Sequence, residues 1–205
     1  MVKNLVFDLD NTLLYWKDEY INALYKTLKD LNYNLSFDKI NDIDNCIDSY
    51  ENYYEYLTKE SLVNFINDRC NMNFDINFID LLLKNHEDCY NIDEKLIDTL
   101  DYLSSKYDLY VITNYFTETQ IARLKNAKIL KYFKKVYGGD TNYLKPNLKA
   151  FDNIKDKENS IMIGDNINFD IIPSMKVGMK AILISQEKNL KYKTIKNIYE
   201  LKEML

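Results

Sequence analysis

The chain has 205 residues, a net charge of −5 and a pI near 5.1. That length can bury a real core, as one large domain or as a core with a smaller insertion. The acidic balance argues against a general binder of nucleic acid or of membrane surfaces, and no apolar run reaches the ~20 residues that span a bilayer.

Along the chain, five short runs rich in Val, Ile, Leu or aromatic residues read as buried strands: Leu5–Phe7, Leu109–Ile112, Val136–Tyr137, Ile161–Ile163 and Ala181–Ile184. Between the first two lies a stretch from Tyr15 to about Asp93 with helical spacing only. Tyr20, Ile21, Leu24, Tyr25, Leu28 and Leu31 form one stripe; Leu62, Val63, Phe65 and Ile66 suggest a second helix, and Phe78, Ile79, Leu82 and Leu83 a third. An ordinary crossover between strands needs far fewer residues, so this stretch reads as a helical insertion. Leu96, Ile97, Leu100 and Leu103 mark a further helix, and Ile195, Ile198, Leu201 and Leu205 predict one at the C-terminus. Strands alternating with helices imply an α/β fold, a doubly wound and mainly parallel sheet.

With only 4 glycines and 2 prolines, turns must largely use Asn and Asp. Cys46, Cys70 and Cys89 are odd in number and lack CxxC spacing, so neither a disulfide framework nor a zinc site is indicated. The N-terminus MVKNLVFDLD turns acidic too soon for a signal peptide. A reducing cytoplasm is the expected location.

Ligands of open parallel sheets bind beyond the carboxyl ends of the strands, so the residues following each run matter most. After the first run comes Asp8-Leu9-Asp10-Asn11-Thr12, after the second Thr113-Asn114, and after the fourth Gly164-Asp165-Asn166, with Asp170 close behind. Lys145-Pro146 lies between the third and fourth runs. Carboxylates, a hydroxyl and a lysine are thereby expected at one end of one sheet.

In these four motifs, and in their order, the chain resembles the haloacid dehalogenase-like (HAD) hydrolase superfamily. The resemblance implies a Rossmannoid core from residues 1–14 and 94–205 and a helical cap, of the family's first type, from 15–93. It implies Mg²⁺ held by the carboxylates of Asp8 and Asp165 and the backbone carbonyl of Asp10. It makes Asp8 the nucleophile, Asp10 the general acid and base, and Lys145 and Thr113 the partners of the phosphoryl oxygens. Backbone groups near Leu9, Asp10 and Asn114 complete the cradle, Thr12 is a further substrate-binding candidate, and Asp170 and Asn166 support the ligands from behind.

Physical chemistry agrees with that assignment. A carboxylate attacking an anionic phosphate ester needs the repulsion cancelled, and Mg²⁺ prefers hard oxygen ligands. The expected activity is hydrolysis of a small phosphomonoester through an aspartyl-phosphate, on a small phosphorylated metabolite such as a nucleoside monophosphate, flavin mononucleotide or sugar phosphate. Phosphomutase, phosphonatase and non-catalytic binding readings are the alternatives. Asp10 favours phosphoryl chemistry, because a departing halide needs no proton. Trp16 and the run Tyr50, Tyr53, Tyr54 and Tyr56 are candidates for reading the leaving group, with packing between cap helices as the plainer role of the tyrosines. Arg69 and Arg123 read as surface residues, His86 receives no role, Tyr115 is expected to narrow the phosphate end, and Asp140 is a candidate helper of Lys145.

Overall fold

The computed structural model describes residues 2–15, 19–187 and 189–205. All five predicted runs are strands: β1 (Asn4–Phe7), β2 (Asp108–Ile112), β3 (Phe133–Tyr137), β4 (Ser160–Gly164) and β5 (Lys180–Ile184). A sixth, β6 (Thr194–Ile195), closes one edge. The order is β3-β2-β1-β4-β5-β6 and every pairing is parallel. Ile195 therefore belongs to a strand, not to the predicted C-terminal helix, which shrinks to a 3-10 turn at Ile198–Glu200 and a short helix at Leu201–Met204. The two-residue strand is too short for period-2 alternation to register.

Helices Glu94–Ser104 and Thr117–Asn126 connect β1 to β3 around β2. The four helices preceding them fill the insertion: α1 (Glu19–Asp30), α2 (Phe37–Ser49), α3 (Lys59–Cys70) and α4 (Ile76–His86). In chain order the two connecting helices are α5 and α6, and a further helix, α7 (Ile172–Lys176), precedes β5. Helix α2 has no wide apolar stripe. Only Ile40, Ile43 and Cys46 are buried on it, at three-residue spacing, and packing against α1 and α3 carries it.

Alternation along the strands divides the core. Leu5 and Phe7 face one side with Leu109, Val111, Ile161, Ile163, Ile182 and Ile184, under α5 and α6. Val6, Ile112 and Met162 face the other side, against Ala150, Phe151 and Ile154. Both faces of β1 are buried, as a central parallel strand requires. Each fully buried Leu or Phe contributes about 1.5–3 kcal/mol. The insertion has its own cluster, with Leu24, Ile43, Leu62, Ile66, Phe78 and Leu82 at its centre, and Phe116 and Leu144 join it from the sheet side.

Turns use the residues anticipated. Asn11, Asn32, Asn71 and Asp156 all adopt positive φ, and Asn71 ends α3 in the left-handed conformation. Caps are equally local: Thr58 and Ser61 form a capping box on α3, Asp75 caps α4, and Asp93 caps α5. Among the described residues no helix is long and apolar enough to cross a membrane.

Candidate active site

The strand order reverses beside β1, where β2 lies on one flank and β4 on the other. Such a switch point opens a crevice at the carboxyl ends of the strands. Asp8, Thr113 and Asp165 follow the three adjacent strands and line one cavity of about 380 Å³ with Asp10, Lys145 and Asp170.

Lys145 is almost fully buried, yet its ammonium stands 2.6 Å from Asp8 Oδ1 and 2.5 Å from Asp170 Oδ1. Asn114 fixes the backbone that carries it: its Oδ1 accepts from the Lys145 N–H at 2.7 Å and its Nδ2 donates to the Lys145 carbonyl at 2.8 Å. Asp170 reaches the site because Gly164 leaves room. A Cβ at Gly164 would run into the Asp170 carboxylate. The second Asp170 oxygen accepts from the Asn166 N–H at 3.0 Å, and the Asn166 side chain caps the π-helical turn Ile167–Ile171 through the N–H groups of Asn168 and Phe169. Pro173 then falls at the start of α7, where no intrahelical bond is lost.

Carboxylate oxygens of Asp8, Asp165 and Asp170 lie within 4.8 Å of one another. Burial raises Asp8, and nearby Asp170 and Asp165 add to this against the pull of Lys145. Burial and Asp170 push Asp165 up to about 6. Burial lowers the Lys145 pKa, but Asp170 and Asp8 outweigh it, and the ammonium stays charged well above its ordinary range. Crowded hard-oxygen donors at raised pKa are what a divalent cation stabilises. All three carboxylates could contribute to holding one. Asp170 has both oxygens engaged, by Lys145 and by Asn166, and Asp8 has one engaged, by Lys145.

Asp10 behaves differently from the expected cluster member. Its side chain turns to Arg123, with Nη2 at 2.8 Å from Oδ1 and Nη1 at 3.1 Å from Oδ2. Arg123 is fully buried on α6, which corrects its reading as a surface residue. Gln120, Arg123, Leu124 and Ala127 share the inward face of that segment, a spacing that could have revealed it. Gln120 Nε2 donates both to Asp10 Oδ2, at 3.0 Å, and to Thr113 Oγ1, at 2.9 Å.

Other expectations divide. Leu9 is buried in the core, and neither it nor Thr12 lines the cavity with its side chain; Thr12 Oγ1 is buried without a hydrogen bond among the described residues. Asn11 lines it instead. Trp16 lies outside the described residues. Asp140 is not beside Lys145: its Oδ1 accepts from Thr117 N and Oγ1 and caps α6. His86, given no role from sequence, is buried in the cavity wall, where Nδ1 meets the Tyr115 hydroxyl at 2.6 Å. Burial and the charge of Arg123 drive its pKa down to about 3, so it is neutral. Tyr115 thus packs into the seam with α1 and α4, its ring facing Tyr20 and His86. Tyr50 also lines the cavity and stacks on Tyr54. Tyr53 holds the Arg69 guanidinium 4.0 Å from its ring centre, and that arginine is not among the lining residues.

The insertion contributes an acidic wall that the sequence reading missed. Asp44 and Asp48 line the cavity from one face of α2, Glu51 joins them from the 3-10 turn Tyr50–Asn52 that follows, and Glu51 Oε2 accepts from Asn114 Nδ2 at 2.7 Å. Burial raises all three, Asp48 to about 7 with Asp44, Glu51 and Asp10 adding their charge.

A parallel sheet with a buried lysine among three aspartates at its switch point, under a helical insertion, defines a hydrolase of the haloacid dehalogenase type. The sequence pattern of the haloacid dehalogenase-like hydrolases matches residues 5–184, and the chain belongs to that family. It is 23% identical over 125 residues to the HAD-hydrolase YfnB of Bacillus subtilis, covering 58% of this chain and 53% of that protein. The structure of YfnB bound to magnesium superposes with a TM-score of 0.80 at 21% identity, over 100% of this chain and 98% of that one. A glyceraldehyde 3-phosphate phosphatase of Methanothermobacter thermautotrophicus is 33% identical over 94 residues, 43% of this chain and 42% of that protein. The chain thus aligns with about half the length of these curated relatives. A 2-haloacid dehalogenase from Pseudomonas syringae shares the fold at a TM-score of 0.67 and 20% identity, over 99% of this chain and 97% of that one.

Proposed function

We infer that the chain is a magnesium-dependent phosphomonoester hydrolase. The observation that carries this reading is the juxtaposition of Asp8, paired to buried Lys145, with a second carboxyl, Asp10, on the same cavity. Asp8 attacks phosphorus and the ester P–O bond breaks, leaving an aspartyl-phosphate. Asp10 gives its proton to the departing oxygen, then takes one from the water that hydrolyses the intermediate and restores Asp8. Lys145 and the Thr113 hydroxyl face the phosphoryl oxygens. Mg²⁺, held by Asp8 and Asp165 with the Asp10 carbonyl, would cancel charge between the attacking carboxylate and the phosphate. The magnesium bound in the structure of YfnB supports the choice of ion. Cleavage of a carbon–halogen bond makes no use of Asp10, since halide leaves unprotonated.

Helices α1–α4 act as the cap and read the leaving group. Their wall presents Asp44, Asp48 and Glu51, so a second phosphate or carboxylate on the substrate would meet like charge. The leaving group is accordingly neutral and hydroxyl-bearing, which fits sugar phosphates and nucleoside monophosphates; the phosphatase relative acts on an ester of this kind by its name. The deciding experiment measures p-nitrophenyl phosphate hydrolysis with Mg²⁺ for the wild type and Asp8→Asn, followed by a phosphometabolite panel. Metal-dependent turnover lost in Asp8→Asn supports the reading. Equal rates for both proteins would overturn it.

A further inference from the structure

Arg123 does more than neutralise Asp10. A guanidinium enclosed away from water is costly unless it is paired. Nε and Nη1 of this one are hydrogen-bonded to groups from separate stretches of chain, while Nη2 meets Asp10 Oδ1 as an ion pair without a hydrogen bond among the described residues. Two nitrogens span the Asp10 carboxylate, as described above. Its Nε donates to the Cys89 carbonyl at 2.6 Å. Its Nη1, which carries two hydrogens, also lies within hydrogen-bond distance of the Tyr20 hydroxyl, at 2.5 Å, and of Gln120 Oε1, at 2.7 Å, so these two and Asp10 Oδ2 share its donors.

Tyr20 opens α1, where the chain has just left the sheet, and Cys89 lies between α4 and α5, where it returns. The two connections touch: Tyr20, Ala23 and Cys89 form a small apolar cluster of their own. The Tyr20 hydroxyl, in turn, donates to Asp10 at 3.2 Å. A single side chain on the sheet side therefore contacts both crossings into the helical insertion and the carboxyl assigned to proton transfer. Among the described residues, every hydrogen bond and ion pair to the Asp10 carboxylate comes from Tyr20, Gln120 or Arg123.

We propose that Arg123 is a positioning residue that ties the stance of the Asp10 carboxylate to the seating of both connections. The proposal rests on Asp10 being the acid and base inferred above. A planar fork is needed, because a lysine is a point charge that cannot span two carboxylate oxygens and a carbonyl together. When the connections are seated, Asp10 is held at the cavity, with its side chain 24% exposed. When they shift, Tyr20 and Cys89 pull the fork, and the carboxyl loses its aim.

The test compares Arg123→Lys with the wild type on p-nitrophenyl phosphate and on glycerol 3-phosphate. The ratio kcat/KM reports steps up to departure of the leaving group. Nitrophenolate departs without a proton, whereas the glyceryl oxygen requires one. Arg123→Lys is expected to lower kcat/KM for glycerol 3-phosphate at least tenfold more than for p-nitrophenyl phosphate, in the same direction as Asp10→Asn. An equal loss on both esters, or no loss, would overturn the proposal. A structural lesion alone would produce the equal loss. Amide hydrogen exchange supplies a readout independent of turnover: exchange near Tyr20 and Cys89 should quicken at least tenfold in Arg123→Lys, and unchanged exchange would count against it. If the wild type hydrolyses neither ester, the phosphatase reading has failed, and the exchange result alone decides the link between the connections. Should Arg123→Lys not fold, Tyr20→Phe removes only the hydroxyl and should shift ester selectivity about threefold; unaltered selectivity would again overturn the proposal.

Discussion

Lys145 Nζ and Asp170 Oδ1 stand 2.5 Å apart with their side chains only 3% and 1% exposed. Breaking such a buried pair from one side leaves an unmatched charge. Lys145→Met is expected to destabilise the metal-free protein by about 3–5 kcal/mol, measured by urea unfolding. Adding Asp170→Leu should recover part of that loss, because the two sites are coupled. A cost for Lys145→Met below about 1 kcal/mol would show that the pair is not enclosed as described.

Metal removal should act on both turnover and stability. Excess EDTA is expected to abolish hydrolysis and Mg²⁺ to restore it. At a hundredfold excess over its dissociation constant, Mg²⁺ should raise the Tm by roughly 5–10 °C. Asp165→Asn should lose most of that rise in a thermal melt. An equal rise in both proteins would remove Asp165 from the ligand set.

His86 makes stability fall in acid. Its ordinary pKa of 6.5 drops to about 3 in the fold, because burial and Arg123 oppose its protonation. Between these values the unfolded state binds the extra proton, so stability falls as pH falls, by up to about 1.4 kcal/mol per unit. At pH 5 the loss is about 2 kcal/mol relative to neutral pH. The raised carboxylates Asp8 and Asp165 work in the opposite sense, favouring the fold below their folded pKa. The difference between wild type and His86→Gln isolates the imidazole. If that difference is flat from pH 7 to 5, the histidine is not held neutral by burial.

The acidic wall should be visible in substrate preference. Glu51→Gln and Asp48→Asn are each expected to raise kcat/KM for phosphoglycolate, relative to a neutral sugar phosphate, by roughly threefold to tenfold at low salt. Added salt should shrink the effect, more so for Asp48, which is the more exposed of the two. A preference indifferent to both changes would mean that the leaving group does not face this wall.

Most of the sheet was legible because buried strands are apolar runs, and β1, β2, β4 and β5 sit between clear polar boundaries. The helices α1, α3 and α4 announced themselves by periodicity, while α2 did not, because its surface toward the cavity is acidic and its buried stripe is only three residues wide. Asp8, Thr113 and Asp165 were placed by strand ends, and Lys145, which lies between the third and fourth runs, by the order of the motifs. Arg123 was misread because a charged residue in an amphipathic helix is normally solvated, and only a partner distant in sequence can reverse that.

By itself, then, the order of apolar runs determined a mainly parallel α/β sheet with its carboxylates at one end, and the four motifs in their order carried the resemblance to the haloacid dehalogenase-like hydrolases. Local rules suffice there, since strand period, turn chemistry and chain direction decide which residues emerge at the carboxyl end. Tertiary structure alone decided what surrounds those residues. It brought Asp170 to Lys145 through the space left by Gly164, buried His86 beside Tyr115, and set Arg123 between Asp10, Tyr20 and Cys89. Charge pairing in a low-dielectric interior depends on distance through space, and sequence separation does not record that distance.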